Sequence, residues 1–352
     1  MTDWAVILTP LLVLPIVLLF RFVGCGLDVT GTADPDIPLP PRKDPPAAPP
    51  ATPPLVPTPI TTPPNYRGYI LGEFPNPGMV KNASVVPNGA DVVAYWRLVD
   101  APASVDAKDE KNFQKGTYQE GQTLPAIAPT GTTPGSKGQS PAHFVPGQAS
   151  LIASDPTVKC RRFDGGHVRV TVQPGVNLYT DQFTLEAWIR ADAFDADFEY
   201  VLFDAGGNYA LPGGGAAANR GFRIFVNRQR GWQVQLAPSN TPLFPSAPIV
   251  PLGLRTHVAV AVDDIVLVGG GVEKAVSLYV DGKLVAPSPV TVLTYNRPDG
   301  APLFIGVENE EANPAQNARL RRPINCEIQE VVLHRKALSL AEIENHVDIN
   351  RP

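Results

Sequence analysis

The sequence predicts an all-β protein of antiparallel strands with a short C-terminal helix. Residues 183–190 read FTLEAWIR, where apolar and polar side chains alternate with the period of two that is typical of a strand. Residues 276–285 read VSLYVDGKLV, whose Asp-Gly dipeptide favours a two-residue hairpin turn. Near the end, a strand-like CEIQEVVL precedes Ser339 and Glu342, which are spaced as a helix capping box. Strands therefore dominate, and a helix follows the last of them.

The first element in chain order is an uncharged apolar run at residues 4–20, which is predicted to be helical. At about 1.5 Å per residue it would span roughly 25 Å, the lower limit for crossing a bilayer core. The following FVGCG resembles a bacterial lipoprotein signal, which implies that Cys25 is lipidated. Residues 1–24 are therefore predicted to be a signal peptide or an uncleaved single-span membrane anchor.

A proline-rich linker is predicted at residues 25–80. The chain contains 40 prolines, and many of them lie in this segment. Frequent proline removes backbone donors and favours an extended, disordered polyproline II chain. Fully extended at about 3.1 Å per residue, the most proline-rich part of the linker, residues 28–64, would hold the following domain on the order of 100 Å from a membrane. The alternative is that it serves as a proline-rich ligand for a partner's aromatic groove.

Residues 81–352 are predicted to form one domain. Its strand-like segments, in order, are RRFDGGHVRV, FTLEAWIRADAF, RTHVAVAVDD, VSLYVDGKLV, LFIGV and CEIQEVVLHRKALSLAEI. Their order and spacing resemble the laminin-G-like, concanavalin-A-like jelly-roll family over roughly residues 88–350. This resemblance implies a two-sheet antiparallel jelly-roll sandwich that ends in the short helix. Members of the family bind glycans, proteins or calcium. A low-complexity stretch at about 102–147 is predicted to be a long surface loop.

Two neighbouring strands, FRIFVN and WQVQL, supply the candidate ligand site. One phase of these strands is apolar and is predicted to be core: Phe222, Ile224, Val226, Trp232, Val234 and Leu236. The opposite phase carries planar amides, a guanidinium group and an aromatic ring, which suit hydrogen bonding to and stacking on a sugar: Arg223, Phe225, Asn227, Gln233 and Gln235. The alternative is a solvated sheet face.

The cysteines and one aspartate give two further predictions. With Cys25 assigned to the lipid, Cys160 and Cys326 remain as a pair, each on a predicted strand, and are predicted to form a disulfide or to remain two buried thiols. Asp164, in FDGG, resembles the acidic turn residue of the family's FDG signature, which implies a calcium ligand. The alternative is that Asp164 caps its own turn.

Several function classes are not supported by the sequence. The net charge of -5, with scattered Lys and Arg, gives no basic footprint for nucleic acid. The Glu-x-Asp-x-x-Glu strand motif of laminarinase-like hydrolases is absent, and 327–330 (EIQE) comes nearest. The five histidines lack close metal-ligand spacing, and no G-x-S-x-G elbow occurs. The sequence therefore predicts that the protein is not an enzyme.

These observations predict a membrane-tethered binding module on the extracytoplasmic side of the cell envelope. Its partners would be the membrane, through the N-terminus, and an extracellular glycan or protein. One alternative is a structural component of an envelope-associated assembly that binds no small ligand. A minor alternative is a glycan-active enzyme.

Overall fold

The computed structural model describes residues 67–72, 89–119, 145–173, 178–194, 198–209, 217–239, 241–286, 290–292, 294–309 and 320–350. The predicted N-terminal helix, Cys25 and most of the predicted linker lie outside these residues. Within them, no helix is both long and apolar enough to cross a bilayer.

Two large antiparallel sheets form the domain, as the sequence predicted. The nine-stranded sheet consists of β1 (Val92–Trp96), β4 (Val145–Ala149), β5 (Lys159–Asp164), β7 (Phe183–Ala191), β13 (Arg255–Val266), β14 (Val272–Val280), β15 (Lys283–Leu284), β16 (Val290–Val292) and β20 (Asn325–His334). The seven-stranded sheet consists of β2 (Asp106–Ala107), β3 (Gly116–Gln119), β6 (His167–Val170), β8 (Tyr200–Asp204), β11 (Phe222–Val226), β12 (Trp232–Leu236) and β17 (Leu303–Ile305).

Smaller elements complete the described fold. Two short pairs lie beside the sheets: β9 (Gly207–Tyr209) with β10 (Ala218–Arg220), and β18 (Glu308–Asn309) with β19 (Leu320–Arg321). The helix α1 is Leu340–Asn350, and 3-10 turns lie at Tyr69–Leu71 and Gly89–Asp91.

The main apolar core lies between the two large sheets. All six residues predicted as core on β11 and β12 are buried in it. On β7, Phe183 and every second residue after it point into this core. The alternate side chains of β7 point to the outer face of the nine-stranded sheet, where most of them are also buried. Trp188 is one of these alternate side chains and is packed there against Tyr69 and Val347 rather than exposed. The period-two pattern of residues 183–190 therefore correctly predicted which side chains of β7 point to each face of the sheet.

The two predicted turn signals are confirmed. Asp281 and Gly282 have φ angles of 50° and 78°, as a type I′ turn requires, and they join β14 to β15. At the start of α1, the backbone N–H of Ser339 donates to Glu342 Oε2 at 2.8 Å, and the N–H of Glu342 donates to Ser339 Oγ at 3.3 Å. This reciprocal pair is the predicted capping box.

The domain's buried contacts begin inside the predicted linker. Tyr69 and Ile70 are fully buried and pack with Trp188, Val347 and Ile349. Together, this turn and α1 cover the outer face of the nine-stranded sheet. A single buried turn surrounded by prolines has no periodicity, so no sequence pattern indicates it.

Part of the predicted loop at 102–147 is also ordered structure. β2 and β3 lie at the edge of the seven-stranded sheet, where β3 pairs with β6. Gly116 is needed there, because a Cβ at this position would lie 2.6 Å from Val168 Cγ1. Residues 120–144 lie outside the described part of the chain.

The predicted disulfide between Cys160 and Cys326 is wrong, and both residues are buried free thiols. Cys326 pairs with Phe163 of β5, and both lie in the core between the sheets. Cys160 precedes Phe163 by three residues on the same strand and therefore points to the opposite face, where it packs near Trp188. The sheet separates the two sulfurs, whereas a disulfide needs Cβ atoms about 3.5–4.5 Å apart.

Candidate functional site

A cavity of about 400 Å³ lies at the end of the seven-stranded sheet. The strand ends of β8, β11 and β12 form it together with the β9–β10 pair and β18. Its lining is predominantly polar and includes Asp204, Asn219, Arg220, Arg223, Gln235 and Glu308.

Arg223 is the central charged group of this cavity. It lies directly opposite Gln235 in the antiparallel register of β11 and β12, so both side chains leave the sheet on the same face. The Arg223 guanidinium donates to Gln235 Oε1 at 2.6 Å and also to the carboxylate of Glu308. Its carbon Cζ lies 4.6 Å from the centre of the Phe225 ring, which supports the guanidinium from below.

Asp204 is a buried carboxyl group at the end of β8. Its two oxygens accept backbone N–H groups, from Gly206 at 3.0 Å and from Asn309 at 2.9 Å. Burial and the nearby negative charge of Glu308 nevertheless raise the pKa of Asp204 to about 7. This carboxyl therefore carries a proton for much of the time near neutral pH.

Glu308, on β18, forms ion pairs with two arginines from other parts of the chain. Arg223 pairs with one of its carboxylate oxygens and Arg322 with the other. Arg322 also pairs with Glu199, with Nε 2.9 Å from Oε2. The cavity thus holds a carboxylate paired with two arginines beside a carboxyl group that titrates near neutral pH.

The structure brings two of the five predicted ligand residues to the cavity, Arg223 and Gln235. Phe225 and Gln233 form the next pair in register but are buried, and Gln233 Nε2 donates to the carbonyl oxygen of Phe244 at 2.8 Å. Asn227 lies at the far end of β11, where its Oδ1 accepts the N–H of Gly231 at 2.9 Å and closes a turn. These residues share one face of the two strands, but Phe225 and Gln233 are buried in its middle and do not line the cavity.

Sequence reasoning missed Asp204, Asn219, Arg220 and Glu308. Asp204 follows the apolar run YVLF, so the only signal for it was a charge at a strand end. Asn219 and Arg220 belong to a glycine-rich stretch with no strand periodicity, and Glu308 lies about a hundred residues further along the chain. The fold alone brings them together.

Asp164, the predicted calcium ligand, is exposed at the end of β5. It precedes Gly165, whose φ of 88° forms the turn into β6. In the portion of the chain that the structure describes, the groups with metal-ligand geometry do not include Asp164. Calcium at this position stays a prediction.

A second polar cluster lies on the outer face of the nine-stranded sheet, beneath α1. It consists of Glu186 on β7, His257 on β13, His334 on β20 and His346 on α1, all buried. Burial would raise the pKa of Glu186, but the charge of His346 and hydrogen bonds from the three imidazoles lower it well below its usual value. This carboxylate is therefore ionised inside the protein.

The two packed antiparallel sheets define a β-sandwich of the concanavalin A type. The chain belongs to the family described as the concanavalin A-like lectin/glucanases superfamily, the Laminin_G_3 model, which matches residues 164–344. A comparison with curated proteins finds no significant match.

Several solved structures are similar in fold. A Trypanosoma rangeli sialidase mutant with trans-sialidase activity shares 18% identity over 75% of this chain and 34% of its own, with a TM-score of 0.45. Domain 4 of AbnA, a GH43 extracellular arabinanase from Geobacillus stearothermophilus, in complex with arabinotriose, shares 15% identity over 74% of this chain and 98% of its own, with a TM-score of 0.45. The chain spans about a third of the length of the sialidase structure.

The prediction that the protein is not an enzyme is contradicted. The family to which the chain belongs includes glucanases as well as lectins. The prediction had rested on the absence of a strand motif of carboxylates near 327–330. Instead, the structure places two carboxyl groups, Asp204 and Glu308, from different strands in one cavity.

Proposed function

We propose that this domain binds a glycan in the cavity around Arg223. The observation that supports the proposal is the convergence of Arg223, Gln235 and Glu308 with Asp204 at one edge of the sheet. A guanidinium and an amide offer planar donors, and carboxylate and amide oxygens offer acceptors. Such a mixed set suits the adjacent hydroxyl groups of a sugar, each of which both donates and accepts.

The electrostatics of the cavity favour a ligand that is rich in hydroxyl groups. Glu308 is already neutralised by Arg223 and Arg322, and Asp204 loses most of its charge below pH 7. The polar groups are held in place by each other and by the backbone before any ligand arrives. Preorganised groups lose less conformational entropy on binding.

The glycan site is tested by Gln235→Ala in the full-length chain. Gln235 lines the cavity, and its substitution removes both an amide and the acceptor that orients Arg223. We expect at least a 10-fold loss of affinity for the glycans that the wild-type protein retains on an array, as measured by calorimetry. This corresponds to about 1.4 kcal/mol.

The matched control is Gln229→Ala, which changes the same residue type at an exposed position in the β11–β12 turn. It should bind as the wild type does. Equal affinity of the two variants would reject this cavity as the site. If the wild-type protein retained no glycan on the array, the proposal would be rejected. A protein ligand or a structural role in an envelope assembly would then be favoured. A stable oligomer in light scattering would support the structural role.

Membrane tethering on the extracytoplasmic side belongs to the same proposal and is supported by the sequence alone. The apolar run at 4–20, Cys25 and the proline-rich stretch are the features that suggest it. The intact mass of the mature chain tests it. A start at Cys25 with added acyl chains supports a lipid anchor, whereas unmodified Cys25 in a chain that starts at Met1 contradicts one.

Glycoside hydrolysis is a second candidate function at the same cavity. One observation favours it: Asp204, a carboxyl group that titrates near neutral pH, lies in the same cavity as the arginine-paired Glu308. Glycosidases use two carboxyl groups around the scissile bond, and the one that donates the proton has a raised pKa. Asp204 would be the proton donor, and Glu308 would act as the partner carboxylate.

A further inference from the structure

The cluster beneath α1 combines a buried carboxylate with three imidazoles from three other elements. Glu186 and His257 are fully buried, and His334 and His346 are each 3% exposed. His334 Nε2 lies 2.7 Å from Glu186 Oε1, and His346 Nδ1 lies 3.0 Å from the same oxygen and 3.1 Å from Oε2. The ligand atoms of Glu186, His334 and His346 all lie within 4.8 Å of one another.

His257 has a different role in the cluster. Its Nε2 lies 3.0 Å from Glu186 Oε2, and its Nδ1 has no hydrogen-bond partner among the described residues. His257 therefore donates through Nε2 and holds the Oε2 side of the carboxylate. Oε1 is left facing the nitrogens of His334 and His346.

We infer that Glu186, His334 and His346 form a binding site for a divalent transition metal, for which Zn²⁺ is the best match, with His257 as a positioning residue. Imidazole nitrogen and carboxylate oxygen are ordinary zinc ligands. Zinc at about 2.0–2.2 Å from each ligand separates tetrahedral ligand atoms by about 3.3 Å. The distances from Glu186 Oε1 to His334 Nε2 and His346 Nδ1, 2.7 Å and 3.0 Å, would therefore lengthen on binding by about 0.6 Å and 0.3 Å. A hydrogen bond from His257 to the other carboxylate oxygen is typical of the outer shell of such a site.

The convergence of these side chains and their position both favour a metal here. Three imidazoles meet one carboxylate in a site closed to solvent. The three ligands come from β7, β20 and α1, so a bound metal would fasten the C-terminal helix to the sheet. Binding energy at such a site contributes to folding stability.

The first measurement is the zinc content of the full-length chain, purified without a histidine tag and dialysed against micromolar Zn²⁺. We expect one zinc per chain by mass spectrometry of the metal, together with a higher thermal midpoint than after chelation. Co²⁺ should replace Zn²⁺ and give the visible absorption of a tetrahedral site with nitrogen and oxygen ligands. A wild-type chain that takes up no zinc would overturn the inference and leave a purely hydrogen-bonded cluster.

Single substitutions assign the ligands. His346→Gln should lose the zinc and its thermal stabilisation, whereas His257→Gln should retain the site with affinity about 10- to 100-fold weaker. The matched control is His167→Gln, because His167 is equally buried but hydrogen-bonds to Gln119 on the other sheet. Retention of zinc by His346→Gln at wild-type affinity would contradict the assignment.

X-ray absorption of the wild-type zinc complex gives the same answer if the variants do not fold. Two imidazole ligands in the first coordination shell of the zinc would support the site, and a shell without imidazole would overturn it.

Discussion

Two buried carboxyl groups in this domain show opposite effects of their surroundings. Burial raises the pKa of both groups, and for Asp204 the negative charge of Glu308 raises it further, to about 7. For Glu186, three imidazoles outweigh burial and lower the pKa. At the residue scale, the neighbours therefore decide whether a buried acid is protonated.

The candidate acid chemistry predicts a particular pH dependence. If Asp204 donates the proton, hydrolysis of the glycans retained on the array should fall as the pH rises through about 7, because the acid form is lost. Glu308→Gln removes a negative charge that raises the pKa of Asp204, so the remaining activity should fall at a lower pH. Product release measured between pH 4 and 9 checks both, with Asp204→Asn expected to abolish it.

The control for this experiment is Glu110→Gln, which changes a carboxylate paired with Lys108 and outside the cavity lining. Its pH profile should match that of the wild type. Absence of product with every glycan tested, or an unshifted profile in Glu308→Gln, would count against hydrolysis by this pair.

The histidines show what sequence spacing cannot reveal about a site. His257, His334 and His346 converge on Glu186, although 71 to 160 residues separate them from it in the chain. Ligand motifs are recognised by short spacing, which these residues lack. Arg223 and Gln235 were accessible to prediction because the hairpin that pairs them is local.

At the scale of the element, local turn chemistry was predictable and edge strands were not. The turn at 281–282 and the capping box at Ser339 each depend on a few adjacent residues. β2 and β3 have two and four residues, with only Ala107 and Tyr118 as buried apolar side chains. Their pairing depends on the neighbouring β6, so no periodic signal marks them.

The packing of β3 gives a test at this scale. Gly116→Ala should lower the free energy of unfolding by about 1–3 kcal/mol, because the added methyl group would overlap Val168 Cγ1 at 2.6 Å. Urea denaturation measures the change. Gly271→Ala is the matched control, since its Cβ would lie 3.5 Å from Leu267 in ordinary contact, and it should change stability by less than about 0.5 kcal/mol. Equal effects would disprove the close packing.

At the scale of the whole molecule, alternation along the strands predicted sheets with an apolar face, and the order of the segments, through its resemblance to a known family, predicted the sandwich. Apolar residues of period two on β7, β11, β12 and β13 fill the space between the sheets. The sequence did not show that the outer face of the nine-stranded sheet is also covered. That cover comes from α1 and from the turn at Tyr69–Leu71, which joins the domain from within a proline-rich segment.

This covering turn should contribute to the stability of the whole domain. Ile70→Ala should lower the free energy of unfolding by about 2–5 kcal/mol, because Ile70 is fully buried and its loss would leave a cavity. Ile249→Ala, at a side chain that is 59% exposed, is the matched control and should cost less than about 0.5 kcal/mol. An Ile70→Ala variant as stable as this control would show that the turn does not support the fold.

The positions of Cys160 and Cys326 have a practical consequence for the described domain. Because a sheet lies between the two thiols, no oxidant is needed to close the fold, and burial raises the pKa of both, to about 12 for Cys160. Thiolate is the reactive form, so both cysteines should resist alkylation and exchange with glutathione. A bacterial host with a reducing cytosol is therefore suitable for producing this domain.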